Sequence, residues 1–303
     1  MARDIDDQLT KYLTDAHAME VQALAQMRSA PDMAGDALLS AAFSAHLRET
    51  ERHEQLIRER LDARDASPSK LEDLLGAISG KGFVLFAKSQ PDTPGKLAAH
   101  AFSYEHLELA TYDLLERVAS RAGDEETAGV AREIRAEEDA MAERISKLWD
   151  EAVRASGAGP DDVDAYLADA HALENQAIEL LQHSEPPLDA LFAEHLEESR
   201  EHQRLIEELG GEPSRLKDAA LKLGALNWTG FFKAQPDTPA KLAAFAYAFE
   251  HLEIGGYEQL RRLGDPRAAA VADRILPEER RAAEKLYATF EPALNASLAA
   301  VVG

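Results

Sequence analysis

Apolar residues return every three or four positions over long stretches of this chain, the spacing that gives an α-helix one buried face. The pattern predicts a helix over about 6–27 and a second over about 37–64. A third begins at Thr93-Pro94, with Thr93 as N-cap and Pro94 in the first helical position. A fourth follows Gly123-Asp124 and runs to about Val153. The first and third connections are short. The second takes about thirty residues and carries an apolar stretch near Phe83 to Phe86 that predicts an extra short helix.

The same order of elements then recurs. Tyr12-Leu13-Thr14-Asp15-Ala16-His17-Ala18-Met19-Glu20 returns as Tyr166-Leu167-Ala168-Asp169-Ala170-His171-Ala172-Leu173-Glu174. Phe43, His46, Glu49 and His53 return as Phe192, His195, Glu198 and His202, and Glu105-His106-Leu107-Glu108 returns as Glu250-His251-Leu252-Glu253. The offset shrinks from 171-17=154 through 202-53=149 and 250-105=145 to 279-138=141, so the matching blocks are elements and the lost residues belong to connections. This is a duplicated domain rather than a solenoid of many short units. The breaker-rich run Ala155-Ser156-Gly157-Ala158-Gly159-Pro160 marks the seam, giving domains 1–155 and 161–303. The expected fold is all-α: two tandem four-helix bundles, each with a long crossover between its second and third helices, packed as a pseudo-twofold dimer. One long crossover between two short hairpins is the ferritin-like arrangement of such a bundle.

The buried seams are not wholly apolar. The first helix reads Leu13, His17, Glu20, Leu24, Met27, and the second Ala42, His46, Glu49, His53, Leu56. The third reads Ala98, Ala101, Glu105, Glu108, Tyr112, Leu115, and the fourth Ile134, Glu138, Met141, Ile145. The second copy places Glu174, Glu198, Glu250, Glu253 and Glu279 at the matching positions. For any single glutamate in so acidic a chain, a solvated face is the simpler expectation. For the set it fails, because several unpaired carboxylates in one core would each cost several kcal/mol or stay protonated. No basic residue shares these seams. A cation answers the imbalance.

Composition narrows which cation. The chain has no cysteine, so thiolate chemistry, disulfides and sulfur-held metals are excluded, and any metal is held by oxygen and nitrogen. Carboxylates with a few imidazoles suit iron or manganese. A net charge of -23 argues against nucleic acid and anionic membrane as partners. The polar beginning of the sequence and the lack of a long apolar run lead to a cytoplasmic expectation.

His17 and His171 share the seam of Glu20 and Glu174, either as further ligands or, as is commoner for a core histidine, hydrogen-bonded to a neighbour. His46 and His195 are open to the same two readings, and Glu137 and Glu278 adjoin Glu138 and Glu279 too closely to be separated by spacing alone. Glu138 continues the apolar seam and is preferred. His106 and His251 point off the seam, and Tyr112 and Tyr257 are expected to be core residues.

With these residues in place, each half resembles the YciF/YciE-type ferritin-like family, relatives of rubrerythrin and ferritin. The resemblance rests on Asp-Ala-His-Ala-x-Glu-x-Gln in the first helix, His-Leu-x-Glu followed by Thr or Ser in the second, Glu-His-Leu-Glu followed by a Tyr in the third, and the Glu-Glu pair of the fourth. It implies a stress-linked protein with a di-iron centre, two Fe per domain, and ferroxidase chemistry. The ligands it implies are Glu20, Glu49, His53, Glu105, Glu108 and Glu138, with Glu174, Glu198, His202, Glu250, Glu253 and Glu279 in the second half. His53 stands where the family commonly has Gln, and Ala142 and Ala283 where it has Asp. The expected partners are metal ions and oxygen or peroxide, in a monomeric pseudo-dimer or small homo-oligomer. Two alternatives stay open: a non-enzymatic stress or scaffold protein with structural metals, and a di-manganese enzyme decomposing peroxide.

Overall fold

The computed structural model describes residues 5–67, 93–211 and 238–301. Among them every regular element is helical, and none is long and apolar enough to cross a membrane. They form two compact units, one within Met1–Gly157 and one within Ala158–Val301. The apolar stretch near Phe83 to Phe86 lies outside the described residues.

The first unit contains α1 (Ile5–Met27), the single turn α2 (Ala30–Met33), α3 (Ala37–Asp62), α4 (Thr93–Ala122), α5 (Glu125–Ser146) and α6 (Trp149–Ala155). Helices α1 and α5 each pack on both α3 and α4. Arg64, just past α3, reaches Asp6 at the start of α1 at 2.6 Å and Asp124 at the start of α5 at 3.0 Å, so both run against α3. A Cβ on Gly35, ahead of α3, would meet Pro94 at the start of α4 at 3.0 Å, and the residue's φ of +64° is one glycine adopts without strain. Helices α3 and α4 therefore begin at the same end of the bundle and run parallel, which fits the ferritin-like arrangement.

Local chemistry sets the boundaries. Asp36 caps α3 by accepting from the amides of Leu38 and Leu39, and Asp124 caps α5 by accepting from Thr127 at 3.0 Å. Thr93 is already helical and so is not the N-cap expected there. The predicted fourth helix is interrupted at Lys147-Leu148, where the backbone leaves helical hydrogen bonding and re-enters as α6. The interruption lets Trp149 bury edge-on against Phe102, ring centres 5.3 Å apart. Periodicity alone does not register such a break, because the apolar spacing continues through it.

The second unit repeats the plan with α7 (Val163–Leu181), α8 (Asp189–Glu208), α9 (Thr238–Leu260), α10 (Pro266–Ala288) and α11 (Phe290–Val301). Helices α7 and α10 each pack on α8 and α9, and α11 packs on α9 as α6 packs on α4. Asp265 caps α10, with Pro266 next in sequence. Even a small tie is duplicated: Ser156 accepts from the amide of Gly95 at 2.8 Å, and Ser297 from that of Ala240 at 2.9 Å. Within each bundle, side chains such as Leu13, Phe43, Ile57 and Leu115, or Phe192, Ile206 and Ile275, are completely buried and surround the acidic seam.

Candidate metal centre

Each bundle converges its acids on the middle of the core. Ligand atoms of His46, Glu105, Glu108 and Glu138 lie within 4.8 Å of one another, and so do those of Glu20, His53 and Glu138. Glu138 belongs to both groups. The second unit reproduces them as His195, Glu250, Glu253, Glu279 and as Glu174, His202, Glu279. All of these side chains are buried, at 0–2 % exposure.

The imidazoles are held from outside. His46 directs Nε2 inward, 3.1 Å from Glu105 and 3.4 Å from Glu138, while its Nδ1 meets Glu49 at 3.1 Å. His53 is turned the other way, with Nδ1 2.8 Å from Glu138 and Nε2 2.7 Å from Glu137. In the second unit Glu198 meets His195 Nδ1 at 3.0 Å and Glu278 meets His202 Nε2 at 2.7 Å. A carboxylate accepting from the outer ring nitrogen fixes the tautomer and leaves the inner nitrogen as a lone-pair donor, as outer partners of metal-bound histidines do.

The inner atoms lack partners of their own. Glu20 Oε2, His53 Nδ1, Glu105 Oε2 and both oxygens of Glu108 and Glu138 are buried without a hydrogen bond, and Glu174, His202, Glu250, Glu253 and Glu279 repeat the pattern. Several of them approach one another closely, but not with hydrogen-bond geometry. Buried polar groups are almost always satisfied, so a matched set of orphans in both units is the signature of a missing binding partner. Only nitrogen and oxygen donors are present, four carboxylates and two imidazoles per unit. Two divalent ions would match the four carboxylates in charge and fit the donor chemistry of iron or manganese.

Electrostatics give the same account. Burial pushes Glu20 up to about 8, helped by Glu138, and pushes Glu250 up to about 8. Burial raises Glu108 and Glu253 as well, with neighbouring carboxylates adding to it. Burial alone would lower His53, but Glu138, Glu20 and Glu137 outweigh it and lift the ring to about 9. Glu138 is raised by burial to about 7, whereas at Glu279 the close approach of the His195 and His202 rings overcomes burial and holds it low. The surroundings of Glu138 and Glu279 are nearly identical, so the protons belong to each set as a whole rather than to either carboxylate.

Of the residues singled out by sequence, Glu20, His53, Glu105, Glu108 and Glu138 come together, as do Glu174, His202, Glu250, Glu253 and Glu279. Glu49 and Glu198 do not join them; they lie about a third exposed beside His46 and His195, which do. Glu137 and Glu278 are likewise outside, on His53 and His202. His17 meets Glu54 at 2.8 Å, and His171 meets Glu207 at 3.2 Å and Asn175 at 3.1 Å. His106 and His251 bond backbone carbonyls one turn earlier. Tyr112 and Tyr257 are not merely packed: their hydroxyls donate to Glu20 and Glu174. The signal for His46 is in the spacing. Residues seven apart on a helix differ by only about 20° in direction, so His46 and His53 share a face, with Glu49 turned by about 60° from the one and about 40° from the other.

The fold and these clusters define an all-helical protein with buried carboxylate–histidine groups able to hold metal. The chain matches the family described as "Domain of unknown function (DUF892)" over residues 4–158 and again over 163–299, and it belongs to that family, which is of ferritin-like type. No curated protein matches the chain.

Proposed function

We propose that each half of the protein is a dinuclear iron centre that oxidises Fe(II) with oxygen or peroxide, in the stress-protective role implied by its likeness to YciF/YciE-type proteins. The observation that carries this reading is the pair of buried donor groups joined through one carboxylate, Glu138 or Glu279, with their inner atoms unpartnered. Bound iron supplies the redox chemistry, which carboxylate and imidazole side chains cannot. Glu138 offers one oxygen to each group, the geometry needed to keep two ions close. Glu105, Glu108 and His46 complete one group; Glu20 and His53 complete the other, which has three donors rather than four. Tyr112 fixes the carboxylate plane of Glu20 through its hydroxyl, and Glu49 and Glu137 hold the two imidazoles with the correct nitrogen inward. Burial of all five carboxylate and imidazole positions around Glu138 excludes bulk water and strengthens each attraction for a cation.

Turnover separates this reading from a purely structural metal site. Protein loaded with Fe(II) without oxygen, then exposed to it, is expected to consume oxygen in proportion to the iron bound. Full loading with no oxygen or peroxide consumed would remove the oxidase reading and leave metal binding. Peroxide consumption by manganese-loaded and not by iron-loaded protein would move the assignment to manganese.

A further inference from the structure

The two units keep one ion pair beside their centres but reverse its polarity. Arg52 on α3 bonds Glu133 on α5 and also Glu137, the carboxylate that holds Nε2 of His53. By the offsets of the repeat, 201-52=149 and 274-133=141, the matching positions carry Glu201 on α8 and Arg274 on α10, which pair at 3.1 Å. The charge of the pair is unchanged. Its reach is not.

Glu201 cannot bond Glu278, the counterpart of Glu137, because both are carboxylates. It accepts instead from Arg204 at 2.6 Å and from Arg274. Glu278 retains His202 at 2.7 Å and has a guanidinium, Arg281 on its own helix, only at 3.9 Å. Both outer carboxylates are similarly exposed, at 32 % for Glu137 and 30 % for Glu278, so depth does not compensate. His53 is therefore positioned by a carboxylate that the neighbouring Arg52 of α3 also grips, whereas His202 is positioned by one that lacks the cross-helix arginine.

We propose that the two centres exchange divalent metal at unequal rates, the ion beside His53 being retained and the ion beside His202 being released more readily, because Arg52 clamps Glu137 and no matching arginine on α8 clamps Glu278. This rests on reading the buried donor groups as metal centres. Arg52 is a positioning residue, acting through Glu137 on the ring that faces the ion. Duplication has thus allowed one centre to hold its metal and the other to trade it.

The test uses the full chain loaded with Co(II) or Mn(II), freed of excess metal and mixed with EDTA, in two backgrounds. Glu279→Gln disables the second centre and Glu138→Gln the first; if metal analysis finds the targeted half still loaded, Glu250→Gln with Glu253→Gln, or Glu105→Gln with Glu108→Gln, takes its place. Release from the first centre is expected to be slower by about tenfold, the lower end of what an outer partner of a metal-bound histidine contributes. Arg52→Gln is expected to bring the first centre to the rate of the second. Arg52→Lys restores part of the difference, since an ammonium keeps the charge without the fork that serves Glu133 and Glu137 together. Glu201→Arg combined with Arg274→Glu places an arginine beside Glu278 and is expected to slow the second centre. A merely structural role for Arg52 would shift thermal unfolding and leave release unchanged. Equal release from the two centres, or release indifferent to Arg52→Gln, overturns the proposal while leaving the centres in place. Failure of both halves to bind either metal overturns the reading beneath it.

Discussion

Glu138 Oε1 lies 2.8 Å from Nδ1 of His53, with both side chains fully buried, and the other oxygen of the same carboxylate faces His46 at 3.4 Å. One residue of α5 thus serves both halves of the donor set, and its loss should be felt on both sides. Glu138→Gln keeps the shape but replaces one anionic oxygen with an amide that repels a cation. Metal analysis of the loaded variant is expected to show the first unit stripped of both ions and the second untouched. Loss of one ion alone would show that Glu138 serves a single group.

The outer carboxylates should behave differently. Glu49 and Glu137 meet the imidazoles of His46 and His53 at their outward nitrogens, so replacing either with Gln removes an orienting acceptor and no inner donor atom. Affinity is expected to fall by about 10- to 100-fold with full stoichiometry retained at saturating metal. A competition titration against a chromogenic chelator measures both quantities. Complete loss of one ion in Glu49→Gln would identify Glu49 as a direct ligand.

Metal-free protein should lose stability as the pH rises. Glu20 is raised from 4.5 to about 8 and Glu138 from 4.5 to about 7, so each binds its proton more tightly folded than unfolded. Their contribution is complete below about 4.5 and is lost as pH climbs through the raised values. His53 and His202, raised from 6.5 to about 9 and about 11, act in the same direction over a higher window. Glu49, Glu137 and Glu198 are lowered by their imidazole partners and oppose this only below the ordinary carboxylate range, where their contribution is lost as pH falls. Chemical denaturation of the metal-free chain is therefore expected to show falling stability from about pH 5 to pH 9. Loaded protein should show the reverse trend over the same range, because metal displaces protons from the same atoms and binds more tightly as they leave. Parallel pH profiles for the two forms would count against metal at these residues.

The helices and the acids on their buried faces were legible because a three- and four-residue repeat fixes which side chains share a face, and duplication selects the ones that matter. Glu138 is buried and Glu137 about a third exposed, as the seam predicts. The resemblance set Glu49 among the ligands, whereas the structure places His46 with the inner donors and Glu49 behind it. Spacing put Glu49 on the same seam as His46 and His53, because which side chain reaches the centre, and which nitrogen a ring turns inward, depends on contacts between helices that no single segment contains. The break at Lys147-Leu148 was hidden for a similar reason: it accompanies the burial of Trp149 on Phe102, a partner 47 residues away (149-102=47). The reversal of Arg52–Glu133 into Glu201–Arg274 is visible in sequence only after the pairing of α3 with α5 is known.

The tyrosine at the edge of the donor set gives a last, quantitative expectation. Tyr112 is fully buried and donates its hydroxyl to Glu20, whose second oxygen has no hydrogen bond. Tyr112→Phe keeps the ring and leaves both oxygens of Glu20 without a donor, at a cost of about 1–3 kcal/mol to the metal-free fold. Were the hydroxyl only filling space, Tyr112→Phe would cost the same whether or not residue 20 is an acceptor. A double-mutant cycle of Tyr112→Phe with Glu20→Leu, followed by urea denaturation, isolates the coupling. The pair is expected to be less destabilised than the sum of the single variants, because Glu20→Leu removes the acceptor that Tyr112→Phe would strand. In metal-loaded protein the cost of Tyr112→Phe should shrink, since an ion engages Glu20 directly and the phenol then only steadies its plane. Additivity in the metal-free cycle, or an equal cost in both forms, would separate the hydroxyl from the centre.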